Sequence, residues 1–277
     1  MNESPQSRKT NLFVILGAIF LTNAILAEII GVKIFSGERT LGFEPVQWTF
    51  FGEFVLDFNL TAGAVIWPVV FITTDLINEY FGKKGVRKIS FLTAGLITYV
   101  FVVISLVTAL APADFWMQVN ASMPDGSPFD INYAFNTIFR QGLGIIVGSL
   151  TAFLLGQLID VYVFQKLRAV TGPKMIWLRA TGSTLVSQFI DSFVVLGIAF
   201  YVFGNWSISQ IVAVGLINYV YKFTVALALT PLLYFAHGLI DRYLGKDLAE
   251  KMTEEAGEDR KGPGRGVFVD FDRSAEG

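Results

Sequence analysis

Apolar residues collect into six runs along the chain, at about 11–35, 60–81, 88–111, 142–164, 177–203 and 208–238. Each is long enough to cross roughly 30 Å of hydrocarbon, which takes about 20 residues of helix. The polar connections between them alternate in charge. Arg8 and Lys9 precede the first run, and Lys83, Lys84, Arg87 and Lys88 fill the turn after the second. Lys166, Arg168, Lys174 and Arg179 lie along the link at 165–179, whereas 36–59 carries Glu38, Glu44, Glu53 and Asp57 against Arg39. The 112–132 connection has three aspartates and no basic residue. Basic residues mark cytoplasmic loops. The pattern therefore predicts an all-α integral membrane protein of six transmembrane helices with both termini cytoplasmic. It divides into an amino-terminal segment over 1–10, a membrane domain over 11–240 and a polar tail over 241–277. Within the tail, 247–256 suits a short helix, and the Gly-rich, mixed-charge remainder reads as flexible.

Two stretches depart from plain helix and loop. From Trp48 the even positions Trp48, Phe50, Phe54, Leu56, Phe58 and Leu60 are apolar, while Gln47, Thr49, Glu53, Asp57 and Asn59 fall between them. That is the period of 2 of a strand. One reading is a short interfacial β-hairpin with FSGERTLGF between helices 1 and 2, its aromatic side chains at headgroup level; the other is an interfacial amphipathic turn. The fourth run places Gly144, Gly148, Ala152 and Gly156 at successive i+4 positions. Small residues along one stripe let two helix backbones approach closely. This predicts packing within the protomer, with a homodimer face left open.

Composition strengthens the membrane reading. Of 277 residues, 53% are hydrophobic and 16% charged, with mean hydropathy +0.56, against about 25% charged in soluble domains. The net charge of −2 says little about partners, because the placement of charge matters more here than its sum. With no cysteine, disulfides, thiol catalysis and thiolate metal sites are excluded. The first run is too long for the apolar region of a cleaved signal and reads as a spanning helix.

Polar residues inside the runs carry the candidate chemistry. In WPVVFITTDLINEYFGKKGVRK, Asp75, Asn78 and Glu79 sit at i, i+3 and i+4 and share a helix face. A charge in the bilayer core costs about 2.5–3.5 kcal/mol on insertion scales, so each must be compensated. The fifth run carries Arg179, Ser183, Ser187 and Asp191 at successive i+4 positions, with Gln188 beside them. Such a stripe must face protein or water. The sixth adds Asn218 and Lys222, and the first adds Asn23 and Glu28. Helix-to-helix pairing is the plain reading of Asn23, Thr22, Gln157 and Asp160, and Asp191 with Lys222 is expected as a buried pair. Acceptors and amides on three helices point beyond pairing, to a site for a ligand rich in hydrogen bonds. His237, the single histidine, reads as a helix-end residue. Pro68 and Pro231 are expected to kink their helices. The chain has no Walker-type phosphate loop, no H-E-x-x-H and no second histidine, so enzyme, metal and cofactor readings fare poorly. No filter-like signature supports a channel.

TDLINEYFGKKGVRK, preceded by LTAGAVIWPVVFITT and followed far downstream by RATGSTLVSQFIDS and NYVYKF, resembles the queuosine precursor transporter family, also described as a vitamin uptake transporter family. The resemblance covers about residues 11–240; the aromatic 36–59 segment and the tail lie outside it. It implies six membrane helices and uptake of 7-deazaguanine precursors of queuosine across the inner membrane, with a small molecule and the bilayer as partners and no nucleic acid. Such a base offers two adjacent donors to a carboxylate and a carbonyl to an amide or cation. Asp191 or Glu79 suits the donor edge, and Gln188, Asn78 or Asn218 the carbonyl and ring nitrogen; Asn23 joins the substrate-binding set. Lys222 and Arg179 read as counter-ions, and Asp75 or Glu28 suits the cation of an aminomethyl-bearing precursor. Alternating access around a midplane pocket of spans 1, 2, 5 and 6 is the expected mechanism, with Asp75, Glu79 or Asp191 as proton carrier. The alternatives are a substrate-binding subunit docked on a separate ATPase module, and a non-transporting structural protein.

Overall fold

The computed structural model describes residues 4–50, 54–56, 58–140, 143–171 and 175–258. Helix α1 runs over Pro5–Ile30; Ser4 caps it by accepting from the Ser7 N–H at 3.2 Å, and Pro5 occupies its first turn. Its buried stripe is Leu12, Leu16, Phe20, Ala24 and Ala27, one face at helical spacing.

Residues 34–61 hold β1 (Ile34–Ser36), the helical turn α2 (Gly37–Thr40), β2 (Trp48–Phe50), β3 (Phe54–Leu56) and β4 (Asn59–Thr61). β1 pairs antiparallel with β4 in the register Ile34↔Thr61, and β2 pairs with β3 in the register Trp48↔Leu56. The FSGERTLGF stretch is thus not one strand. Ser36 caps the turn at Gly37, and Glu38 folds inward to accept from the Phe58 N–H at 2.9 Å and the Ser36 hydroxyl at 2.9 Å. Glu53 and Asp57, part of the alternation, lie outside the described residues.

Helix α3, Trp67–Val107, has 41 residues and is interrupted at Gly82, whose backbone sits at φ 63°, ψ −167°, a conformation essentially confined to glycine. Thr74 on its first arm (67–81) and Ser90 on its second (83–107) both donate to the same Gln157 oxygen, at 3.4 and 3.5 Å. In an unbroken helix they would stand about 24 Å apart, so the arms fold back on each other at Gly82. The expected runs 60–81 and 88–111 correspond to these arms.

Two short helices, α4 (Asp114–Val119) and α5 (Ile131–Phe139), lead to α6 (Leu143–Thr171), α7 (Ile176–Leu196, continued by a π-helical turn over Gly197–Val202) and α8 (Ile208–Ala228). Among the described residues, five helices are long and apolar enough to cross a membrane, α3 counting once. The expected run 208–238 is divided: α8 ends and α9 (Thr230–Leu244) begins around Pro231, which cannot donate into a helix interior. In the small-residue stripe, a Cβ on Gly148 would stand 3.2 Å from the Val195 carbonyl, and one on Gly156 3.8 Å from the Asp191 Cβ. These residues serve the α6–α7 contact.

The last described helix, α10 (Lys246–Glu258), buries Ala249, Met252 and Ala256. Ala256 packs on the Gly82 bend, where an added Cβ would be 3.0 Å from its carbonyl, and Glu255 pairs with Lys9 of α1 at 3.0 Å. Arg8 also donates to the Leu244 carbonyl at 3.3 Å. The start of α1, the bend of α3, the end of α9 and α10 therefore share one end of the bundle, called here the terminal end. The Gly-rich remainder of the tail, residues 259–277, lies outside the described residues.

Candidate functional site

A cavity of about 560 Å³ runs from the β1–β4 pair toward the terminal end, stopping at Thr74, Asp160 and Val225. Helices α1, α6, α7 and α8 and the first turns of α3 enclose it. The i+4 stripe of α7 explains its chemistry. Asp191 and Gln188 face the cavity at one end of the stripe, while Arg179 lies about 18 Å of helix away.

The walls are mixed. Lys222 of α8 donates to Asp191 Oδ2, and Glu28 accepts from the Ser149 hydroxyl at 2.6 and 2.7 Å. Asn218 and Tyr221 add polar groups, and Trp67, stacked on Phe71 at 5.9 Å between centroids, adds an aromatic face. Carboxylates, amides, a cation and flat rings thus border one space. Such a site can orient a planar, polar ligand by hydrogen bonds while stacking its faces.

Below it lies a buried ion cluster. Glu79, on the first arm of α3, accepts from Arg179 Nη2 at 2.8 and 2.9 Å through its two carboxylate oxygens. Arg168 of α6 stands 3.5 Å from Glu79 Oε2 and donates to the Glu79 carbonyl at 3.2 Å. Arg179 is fully buried, with the Phe164 ring 5.7 Å from its guanidinium. Arg168 also donates to the Thr253 carbonyl, which ties the cluster to α10. Asn78 accepts from Gln165 at 2.8 Å, and the Tyr80 hydroxyl donates to Asp241 at 2.7 Å, with His237 Nδ1 3.1 Å from the same carboxylate. The TDLINEY run is therefore the clamp of the terminal end.

The residues singled out in the sequence fall into separate groups. Glu28, Gln188, Asp191, Asn218 and Lys222 line the large cavity. Asn78, Glu79 and Arg179 belong to the clamp, and Asp75 lines a separate cleft of about 20 Å³. Asn23 donates to its own Ile19 carbonyl at 2.8 Å and is away from the cavity. Sequence reasoning set aside Gln157 and Asp160, which stand on the cavity wall, and counted Arg168 only as a loop charge. A signal for Asp160 was present. Gly144, Gly148, Ala152, Gly156 and Asp160 continue one i+4 series, so the carboxylate shares the face that meets α7.

Membrane-length helices around a deep cavity with mixed walls, above a buried ion cluster, fit a multi-pass membrane transporter. The chain belongs to the family described as "Putative vitamin uptake transporter", whose model matches residues 61–236. It is 32% identical over 187 residues to a probable queuosine precursor transporter of Bacillus subtilis, covering 66% of this chain and 75% of that protein. A probable queuosine precursor transporter of Haemophilus influenzae is 28% identical over 199 residues, covering 71% and 75%. The queuosine precursor transporter of Escherichia coli is 28% identical over 206 residues, covering 71% and 80%. No solved structure matches the chain. The family is one of transporters, not enzymes.

Proposed function

We propose that the protein imports 7-deazaguanine precursors of queuosine across the inner membrane by alternating access. The observation that carries this reading is the cavity wall, where Asp191, Gln188 and Asn218 border one space with Trp67 and Tyr221. A 7-deazaguanine base presents adjacent N1–H and amine donors, which suit the Asp191 carboxylate, and a carbonyl, which suits an amide or Lys222. Stacking on an aromatic ring adds roughly 1–3 kcal/mol in nucleobase sites. Because Lys222 holds Asp191, substrate entry exchanges one charged partner for a bidentate donor pair. The aminomethyl-bearing precursor would place its cation toward Glu28.

In this reading the two arms of α3 are separate spans, which gives six in all, with both termini cytoplasmic. The cavity then opens outward, and Glu79, Arg168 and Arg179 close the cytoplasmic path. Opening that path requires the cluster to separate. Purified protein alone in liposomes should accumulate radiolabelled 7-cyano-7-deazaguanine. Binding without turnover would favour a subunit that needs an ATPase module.

A further inference from the structure

Asp75 of α3 and Asp160 of α6 are each only 5% exposed and lie close enough to interact electrostatically. Asp75 Oδ1 and Asp160 Oδ2 are buried without a hydrogen-bond partner, while Asp160 Oδ1 accepts from the Ser187 hydroxyl at 3.2 Å. Among the described residues neither makes an ion pair. Lys222 and Arg179 are engaged elsewhere, Lys222 with Asp191 and Arg179 with Glu79. Two ionised carboxylates so placed would repel in a medium that also penalises each charge.

The other groups around the pair are known. Glu79 lies one turn along α3, α7 contributes the Ser183, Thr184 and Ser187 hydroxyls, and α8 and α9 bring Ala226, Leu229, Thr230 and Leu233 against Asp75. The two carboxylates also border different spaces. Asp160 stands on the wall of the 560 Å³ cavity, and Asp75 on that of the 20 Å³ cleft, with Thr184 and Phe71 shared by both. The cleft is about large enough for one water.

We propose that Asp75 and Asp160 form a proton-sharing pair that couples substrate import to proton entry. Asp160 takes a proton from a hydronium ion in the large cavity; an O–H bond breaks in the hydronium, leaving water, as one forms on the carboxylate. Transfer breaks that bond and forms one on Asp75, which releases the proton to water on the cleft side. The role in import rests on the function proposed above, but the shared proton does not. The Asp191 carboxylate, paired with Lys222, stays with the substrate.

Infrared difference spectroscopy on substrate-free protein tests the proton directly. At neutral pH a protonated-carboxyl carbonyl band should be lost or displaced in both Asp75→Asn and Asp160→Asn, and unmoved in Glu38→Gln. A wild type without such a band, or one that neither variant disturbs, overturns the proposal. In liposomes containing a pH-sensitive dye, external 7-cyano-7-deazaguanine should acidify the lumen. Both variants should slow this roughly a hundredfold, the usual order for removing a proton-transfer group. Unchanged acidification in both variants, or uptake that follows a sodium gradient instead, also overturns it. A wild type that neither binds nor moves the base contradicts the substrate reading alone, and the infrared band then decides the proton site.

Discussion

Replacing Glu79 by Gln should destabilise the protein more than any single change on the cavity wall. Glu79 and Arg179 have side-chain exposures of 3% and 0%, and their two contacts are 2.8 and 2.9 Å. At an effective dielectric constant of about 20, unit charges some 4 Å apart interact by about 4 kcal/mol. Neutralising Glu79 leaves Arg179 and Arg168 buried beside an acceptor that no longer offsets them, which costs about 3–5 kcal/mol for a broken buried pair. Removing both charges should cost less, because a buried pair and an uncharged replacement are often nearly equal in energy. A double-mutant cycle of Glu79→Gln and Arg179→Gln, read by denaturant unfolding in detergent micelles, measures the difference. The double variant should recover at least about 1 kcal/mol over the sum of the singles, within the usual 0.5–3 kcal/mol coupling of contacting residues. Additive losses, or a Glu79→Gln variant within about 0.5 kcal/mol of wild type, would refute the clamp.

Other outcomes follow from the same geometry. Gly82→Ala places a side chain at φ 63° against the Ala256 carbonyl; it should cost about 1–3 kcal/mol and speed protease cleavage within α10, and unchanged cleavage would contradict the bend–α10 contact. The Phe58 N–H, aided by the Ser36 hydroxyl and the Val46 N–H, holds the Glu38 carboxyl below its ordinary 4.5. A lowered folded value means that this stabilisation is complete above pH 4.5 and is lost as pH falls through the folded value. Amide exchange at Phe58 should therefore accelerate on acidification beyond its intrinsic pH dependence, and Glu38→Gln should abolish that excess. Ser149→Ala removes the hydroxyl that holds Glu28 and should weaken binding of an aminomethyl-bearing base more than a cyano-bearing one; equal effects would argue against Glu28 as the cation partner.

The helices were legible wherever a single apolar run met a single element. The reversal after the second run was visible from its cations, but Lys83, Lys84, Arg87 and Lys88 stand on the first turns of the second arm and the bend itself is confined to Gly82 at positive φ. The end of α8 was missed because the residues on both sides of Pro231 are apolar, so hydropathy does not drop where the helix breaks. Strand character at 48–60 was visible as a period of 2, but its partners were not. Ile34 pairs with Thr61 alongside Glu38 reaching back to Phe58, contacts that no local periodicity encodes. Among the residues that line the cavity, Asp191 and Gln188 were legible because a charged or polar group inside an apolar run is costly wherever it points. Asp160 and Arg168 escaped because a position near a helix end admits a solvated reading, and only the packing of α6 on α7 and α10 removes it.

Equilibrium binding of radiolabelled 7-cyano-7-deazaguanine to the purified protein, with guanine and adenine as competitors and Asp191→Asn alongside, tests the central claim most directly. The account predicts saturable binding that guanine displaces weakly and adenine not at all, and that the folded variant lacks. Absence of binding by folded wild type, or undiminished binding by Asp191→Asn, would contradict the assignment of this cavity.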